Sequence, residues 1–308
     1  MLSRSSETKL FGVMFHHFTQ TDKPDALGSI TAERLNDIII KIGKDRVLSA
    51  QEWSDRAISG ALPPDAVCLT FDDALRSQID IALPVLEHHN LTAFWFIYSS
   101  VFEGCAPGFE VYRYFYNNNF SDFDEFFHHF LCRLQAAKLV ADLPREREKF
   151  AQSDYLREFK FYSDNEREYR FLRDQVLGSG RFDLIMDKMI EASGLNREQV
   201  SAQLWMDNDD LLTLTRNRHV VGLHSYTHPT NLRSLPYIDQ VSEYERNLKH
   251  IVRVTGESPR TMAHPVNSYS AGTLKILRTM GIELGFRSNP DQGRHSALEY
   301  PRIDCINQ

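Results

Sequence analysis

The sequence predicts an α/β protein, a parallel sheet or barrel of repeated strand–helix units interrupted by a long helical insertion. Three observations predict it. Short apolar runs alternate with segments of helical period up to about residue 100. From Phe102 to Gln203 the alternation stops, and segments such as DEFFHHFLCRLQAAKLV and RFDLIMDKMIEASG carry helical period with no good strand between them. Beyond that stretch the alternation resumes and runs to YPRID near the end of the chain.

Taken in order, Leu10 to Phe15 reads as a strand that runs into HHF. SITAERLNDIIIKIG follows as a helix, with Thr31 at its cap, Glu33 in its first turn and Gly43 as its stop. Val67 to Phe71 is a strand, and RSQIDIALPVLEHH is helical with a kink or break at Pro84. Leu91 to Tyr98 is apolar on both faces, as expected for a parallel strand covered by helices. After the insertion come helix DNDDLLTLTRN, strand HVVGL, helix YIDQVSEYERNLKHIVRVTG, strand TMAHP, helix SAGTLKILRTMG, strand IELGFRS and a closing strand near YPRID. The domain reading is one domain over 1–308, with 102–203 inserted in it. Within the insertion, the aromatic run YRYFYNNNF at 112–120 reads as core packing or a dimer contact ahead of a sugar-stacking surface.

A chain of 308 residues buries a large core. Its net charge of -7, with no basic stripe, argues against a nucleic-acid polymer as partner. Four cysteines, at 68, 105, 132 and 305, form no CxxC pair and suggest neither a zinc knuckle nor a disulfide framework. The start, MLSRSSETKL, is polar and lacks the apolar stretch of a signal peptide. LTAFWFIY, the longest aromatic-rich run, is too short to span a bilayer. The expectation is a soluble, cytoplasmic protein without a transmembrane segment; the oligomeric state is left open.

Two short motifs carry chemistry. In LTFDDA the strand that starts at Val67 ends in adjacent carboxylates, Asp72 and Asp73. Alone, the pair reads equally well as a helix start, with Asp72 as cap. In VVGLHSYTHP a strand of small apolar residues ends in His224, and His228 follows four residues later. Twelve histidines produce about one such pair by chance in every two chains of this length, so the spacing alone is weak. Position strengthens it. Both pairs lie just past the C-terminal end of an apolar strand, the edge where sites assemble in parallel α/β folds. Two imidazoles and one carboxylate make a catalytic zinc shell with open positions, and the second carboxylate is then free to serve as a base.

LTFDDA together with HSYTHP resembles the first two motifs of the polysaccharide deacetylases, the NodB-homology or carbohydrate esterase family 4 enzymes. GESPRTMAHPVNSYS, YPRID and the stretch RVLSAQEWSDRAISGALPPDAVCLTFDD share the family's look. The resemblance covers residues 10 to 100 and 204 to 304 and leaves out the insertion. It implies a distorted (β/α)7 barrel and metal-assisted hydrolysis of an N-acetyl, sometimes O-acetyl, group on a sugar. Carried over, Asp72 becomes the general base, Asp73 a metal ligand beside His224 and His228, and the N–H of Val266, after Pro265, the oxyanion donor. Zn²⁺ is the default ion for this shell; Co²⁺, Ni²⁺ or Fe²⁺ suit the same ligands.

The chain departs from the family's pattern at three places. The glycine after the two acids is Ala74, which implies a backbone without positive φ there. The third-motif arginine is replaced by Ala263, so Arg302 is the candidate guanidinium that orients the catalytic acid. The last motif, with its histidine that protonates the leaving amine, is missing, a loss worth on the order of a hundredfold or more in rate. His264, His16, His295 and His17, in that order, are the candidates to replace it. Function then reads as hydrolytic N-deacetylation of an acetamido sugar. The substrate is expected to be a nucleotide- or lipid-linked precursor, or an oligosaccharide, of surface polysaccharide biosynthesis, with the insertion as a lid or pocket wall. The alternatives are a cytoplasmic amidohydrolase on a small non-sugar amide and a metal-binding relative without turnover.

Overall fold

The structure is a computed structural model that describes residues 12–20, 28–105, 108–157, 162–290 and 296–305. The chain forms two compact units, one of residues 1–105 with 205–308 and the other of residues 106–204. The second unit starts at 106 rather than 102 because Ser100–Glu103 forms a helical turn tied back to the first. There the Ser100 N–H donates to the Tyr226 carbonyl, and the Tyr226 hydroxyl donates to Glu103.

Among the described residues the first unit holds nine strands: β1 (Gly12–Phe15), β2 (His17–Phe18), β3 (Ser29–Ile30), β4 (Cys68–Asp72), β5 (Phe94–Ile97), β6 (Val220–Leu223), β7 (Thr261–Ala263), β8 (Leu284–Phe286) and β9 (Arg302–Asp304). β2 and β3 form a small ribbon of their own, and the other seven make one sheet in the order β8-β7-β6-β5-β4-β1-β9. Each pairing in that sheet is parallel. Its two edges meet. Tyr300, just before β9, bridges Phe286 of β8, donating its N–H to the Gly285 carbonyl and accepting the Arg287 N–H, both at 2.8 Å. The sheet is therefore a seven-stranded, nearly closed barrel, the (β/α)7 architecture expected from the sequence.

The connecting helices of this unit are α1 (Ala32–Ile42), α2 (Ala50–Ser59) and α3 (Leu83–His89), followed after the insertion by three more, described below. α1 starts and stops as expected, with the Thr31 side chain accepting the Arg34 N–H and Gly43 at φ 91 closing it. At Pro84 the chain does not break. A π-helical turn over Gln78–Ala82 runs directly into α3, where Pro84 occupies the first turn and needs no N–H partner.

Side-chain parity sorts the barrel into an inside and an outside. Cys68, Phe94, Phe96, Ala263, Phe286 and Tyr300 form one buried cluster, and Leu69, Phe71, Trp95, Ile97, Leu223 and Met262 belong to another, packed under the outer helices. Gly222 keeps room inside: a Cβ there would lie 2.7 Å from the Phe96 ring. Helix α2, not among the elements expected from the sequence, packs Trp53 against Phe94, Phe286 and Tyr300, with centroids 5.9, 5.2 and 5.0 Å apart. Phe94 opens β5 and Tyr300 precedes β9, so α2 packs at the strand-start end of the barrel, opposite Asp72 and His224.

The second unit contains α4 (Gly108–Asn119), α5 (Phe123–Ala136), α6 (Leu143–Ala151), α7 (Asp164–Phe171), α8 (Gly178–Ala192) and α9 (Arg197–Ser201), with a π-helical stretch over Leu172–Leu177 between α7 and α8. Among its described residues there is no strand. The aromatic run at 112–120 builds its core, with Tyr112 and Phe115 buried and Tyr116 stacked on Phe126 at 4.7 Å. The chain then returns to the barrel with α10 (Asn208–Arg216), α11 (Tyr237–Thr255) and α12 (Ala271–Thr279). All four cysteines are free thiols, and among the described residues no helix is long and apolar enough to cross a membrane.

One buried histidine is expected to make the fold acid-sensitive. His219 accepts the Ala93 N–H on Nδ1 at 3.0 Å and meets Trp95 edge-on. Burial pushes its pKa down to about 4, since the charged form loses its water. A depressed histidine contributes its full stability above the unfolded value near 6.5 and loses it as pH falls toward the folded value. Stability is expected to drop by on the order of 3 kcal/mol between pH 6.5 and 4 from this group. Melting curves of the wild type and His219→Asn across that range check it, because the amide oxygen accepts the same N–H without titrating. Equal slopes would remove His219 as the cause.

Candidate active site

Inward parity at the C-terminal edge brings the predicted residues together. Asp72 is the last residue of β4, His224 the first after β6, and His16 the first after β1. Asp73 turns off β4 with its N–H on the Phe96 carbonyl, and its backbone, at φ 81, is left-handed. Ala74 follows at φ 56, which corrects the expectation that alanine rules out positive φ at this turn. The substitution thus keeps the turn and adds steric strain that glycine would avoid.

Asp73 Oδ1 lies 3.4 Å from His224 Nε2 and 3.5 Å from His228 Nε2. The three donor atoms lie within 4.8 Å of one another, the only such group of His, Cys, Asp or Glu among the described residues. Two details fit a divalent ion. Asp73 Oδ1 is buried and has no hydrogen-bond partner, an orphan that a cation would satisfy. His224 Nδ1 lies 2.8 Å from the Ala263 carbonyl, so that nitrogen carries the hydrogen and Nε2 presents its lone pair toward Asp73. Burial raises the Asp73 carboxyl, but His228 and then His224 outweigh it and hold it below the usual range, so it is a carboxylate ready to ligate.

Asp72 is held differently. Arg302 grips both its oxygens, Nη1 on Oδ1 at 2.8 Å and Nη2 on Oδ2 at 2.7 Å. The same guanidinium donates to Thr70 Oγ1 at 2.9 Å and to the Arg287 carbonyl at 2.8 Å, so its plane is fixed on three sides. Burial alone would raise the Asp72 carboxyl, but Arg302, then His224, outweigh it and keep it ionised. Space for the arginine stem comes from Gly12 on β1, the register partner of Arg302, where a Cβ would lie 3.0 Å from Arg302 Cγ. Asp72 Oδ2 also faces His224 Nε2 at 4.0 Å and His16 Nε2 at 3.9 Å.

The model of the polysaccharide deacetylase family matches residues 189–285. Over that stretch the chain is similar to the polysaccharide deacetylases. The match takes in His224, His228 and Pro265 and ends short of Asp72 and Arg302. No curated protein matches the chain. Similar solved structures include a de-N-acetylase from Aggregatibacter actinomycetemcomitans, with TM-score 0.57 and 14% identity over 96% of this chain and 95% of that one. Another is the Streptococcus pyogenes deacetylase PplD in complex with acetate, with TM-score 0.56 and 14% identity over 96% and 92%. A third is IcaB from Ammonifex degensii, with TM-score 0.53 and 15% identity over 96% and 91%. At these identities the likeness is one of fold.

The other predicted residues separate. His264, the first choice for the missing acid, is fully buried, stacked on Tyr269 at 4.0 Å, with Nε2 on the Leu298 carbonyl at 2.9 Å. It follows Ala263, an interior residue of β7, and so has the wrong parity to face the barrel mouth. Burial pushes its pKa down to about 4, leaving it neutral and without a proton to spare near pH 7. His16, by contrast, is 26% exposed and stands beside Asp72. His17 begins β2 with its ring stacked on His16, and His295 lies outside the described residues. Buried Pro265 starts the turn after β7, and Val266 follows it with φ 42 and a side chain 53% exposed. A β-branched residue in left-handed backbone is an outlier of the kind that collects at functional sites.

Two further residues of the site, Gln78 and Thr70, carry no motif in the sequence. Gln78, fully buried in the π-helical turn, donates Nε2 to the carbonyls of His16 at 2.8 Å and Asp72 at 2.6 Å, locking the two together. Its position six residues past Asp72 gives no periodic signal, and widened turns of this type recur near functional sites.

Proposed function

We propose that the protein is a divalent-metal-dependent hydrolase that removes the acetyl group from an N-acetylated sugar. The observation that carries this reading is the division of labour between adjacent acids. Asp73 faces His224 and His228 at 3.4 and 3.5 Å, while both oxygens of Asp72 are engaged by Arg302 and its Oδ2 stands 4.0 Å from His224. Asp73, His224 and His228 would hold the ion, which supplies a positive charge against the carbonyl oxygen of the acetamide. Asp72 takes the proton of the attacking water, with its reactive oxygen aimed by the arginine. The Val266 N–H meets the charge that grows on the carbonyl oxygen. His16 gives a proton to the departing nitrogen, so that water and acetamide become acetate and amine. In the same proposal the sugar is a nucleotide- or lipid-linked precursor handled in the cytoplasm, and zinc is the ion.

Acetate release from a panel of nucleotide-linked, lipid-linked and oligomeric acetamido sugars tests this, using metal-stripped protein with Zn²⁺ or Co²⁺ restored. Metal-dependent acetate from a member of the panel is the expected result. Turnover unaffected by stripping would refute the metal site, and acetate from oligomers alone would refute the precursor.

A further inference from the structure

Both histidines of the proposed metal site lie in one short segment, His224 to His228, with ring centroids 4.8 Å apart. The segment is left-handed at two non-glycine residues, φ 65 at Ser225 and φ 56 at His228. Such backbone persists only where the surroundings over-determine it. The surroundings here are largely one helix. Glu243 and Asn247 stand one turn apart on α11 and share a face. Asn247 is fully buried; its Oδ1 accepts the His224 N–H at 2.9 Å, and its Nδ2 donates to the Ile97 carbonyl at 3.0 Å. It therefore joins the ends of β5 and β6 at the first histidine. Glu243 Oε2 accepts the N–H groups of Tyr226 at 3.0 Å and Thr227 at 2.8 Å, and its Oε1 accepts the Thr227 hydroxyl at 2.8 Å. Ser225 Oγ takes the His228 N–H at 3.1 Å.

We propose that Glu243 and Asn247 are positioning residues for the metal site, a two-point clamp by which α11 sets the separation of the His224 and His228 Nε2 atoms. This rests on the metal-site reading above and is indifferent to which sugar is bound. The amides of His224, Tyr226, Thr227 and His228 each meet a side-chain oxygen, so His228 has no freedom to slide relative to His224. The Tyr226 ring is held separately, by its hydroxyl on Glu103 at 2.8 Å and by Arg246 over its face at 3.4 Å. Those contacts fix the side chain and leave the amides to Glu243.

Titration of metal-stripped protein with Co²⁺, read by dissociation constant and by visible absorption spectrum, tests the clamp. Glu243→Ala is expected to weaken binding by about tenfold to a hundredfold and to change the spectrum. Glu243→Gln, which keeps an acceptor and the side chain's size, is expected to weaken it less, with little change in the melting of the metal-free protein. Unchanged constants and spectra in both variants, while His228→Ala abolishes binding, would overturn the clamp and leave the site standing. Wild-type Co²⁺ affinity in His228→Ala would overturn the site and the clamp with it. Should Glu243→Ala fail to fold, Glu243→Gln decides.

Discussion

Asp72→Asn is expected to slow acetate release by a factor on the order of a thousand while the protein still binds a divalent metal. Asparagine takes no proton at neutral pH, so the attacking water loses its base. Asp73, His224 and His228 keep their places, since the 3.4 and 3.5 Å approaches that define the metal site involve Asp73 alone. Turnover and Co²⁺ binding measured on the same preparation check both halves. Retained turnover would remove Asp72 from the chemistry, and loss of metal would show that the acids have the opposite roles. The variant also leaves a fully buried guanidinium without its counter-ion, and breaking such a pair from one side destabilises by about 3–5 kcal/mol. Assays well below its melting temperature keep that loss apart from the catalytic one.

The positions of Asp72, Asp73, His224 and His228 were legible because each pair follows a recognisable apolar strand; strand parity aims Asp72 and His224 inward, and left-handed backbone at Asp73 and His228 brings those two beside them. Arg302 was legible as a candidate by its place near the last strand. Its pairing with Asp72 depends on barrel closure and on Gly12 opposite it, neither of which a linear reading contains. His264 misled for a related reason. β7 is only three residues long, too short for alternation to show which of Ala263 and His264 faces in. Helix α2 carried a local signal, Ser49 capping at Glu52 and Gly60 as its stop, but among the described residues no regular strand separates it from α1, so it falls outside the strand–helix alternation. The left-handed Ala74 and Val266 run against residue preference, and such conflicts between local propensity and tertiary demand are expected at functional sites.

Arg302→Met separates what the arginine does for the fold from what it does for the chemistry. With the guanidinium gone, burial becomes the dominant influence on Asp72 and raises its carboxyl toward the neutral form. The base is then protonated over more of the working range, so the acidic limb of the pH–activity profile is expected to move to higher pH. The rate at neutral pH should fall by about a hundredfold. Arg302→Lys keeps a positive charge but not the fork that meets both Asp72 oxygens and Thr70 at once. It should therefore hold the limb near its original position while losing rate through misaimed geometry. In stability the two partners are coupled: Asp72→Asn and Arg302→Met each strand a buried polar group, whereas the double variant strands far less. Denaturant melts of the two singles and the double should show the double less destabilised than their sum by about 2 kcal/mol or more. Additive losses, with an acidic limb that stays put in Arg302→Met, would mean that Arg302 packs the barrel mouth without controlling Asp72.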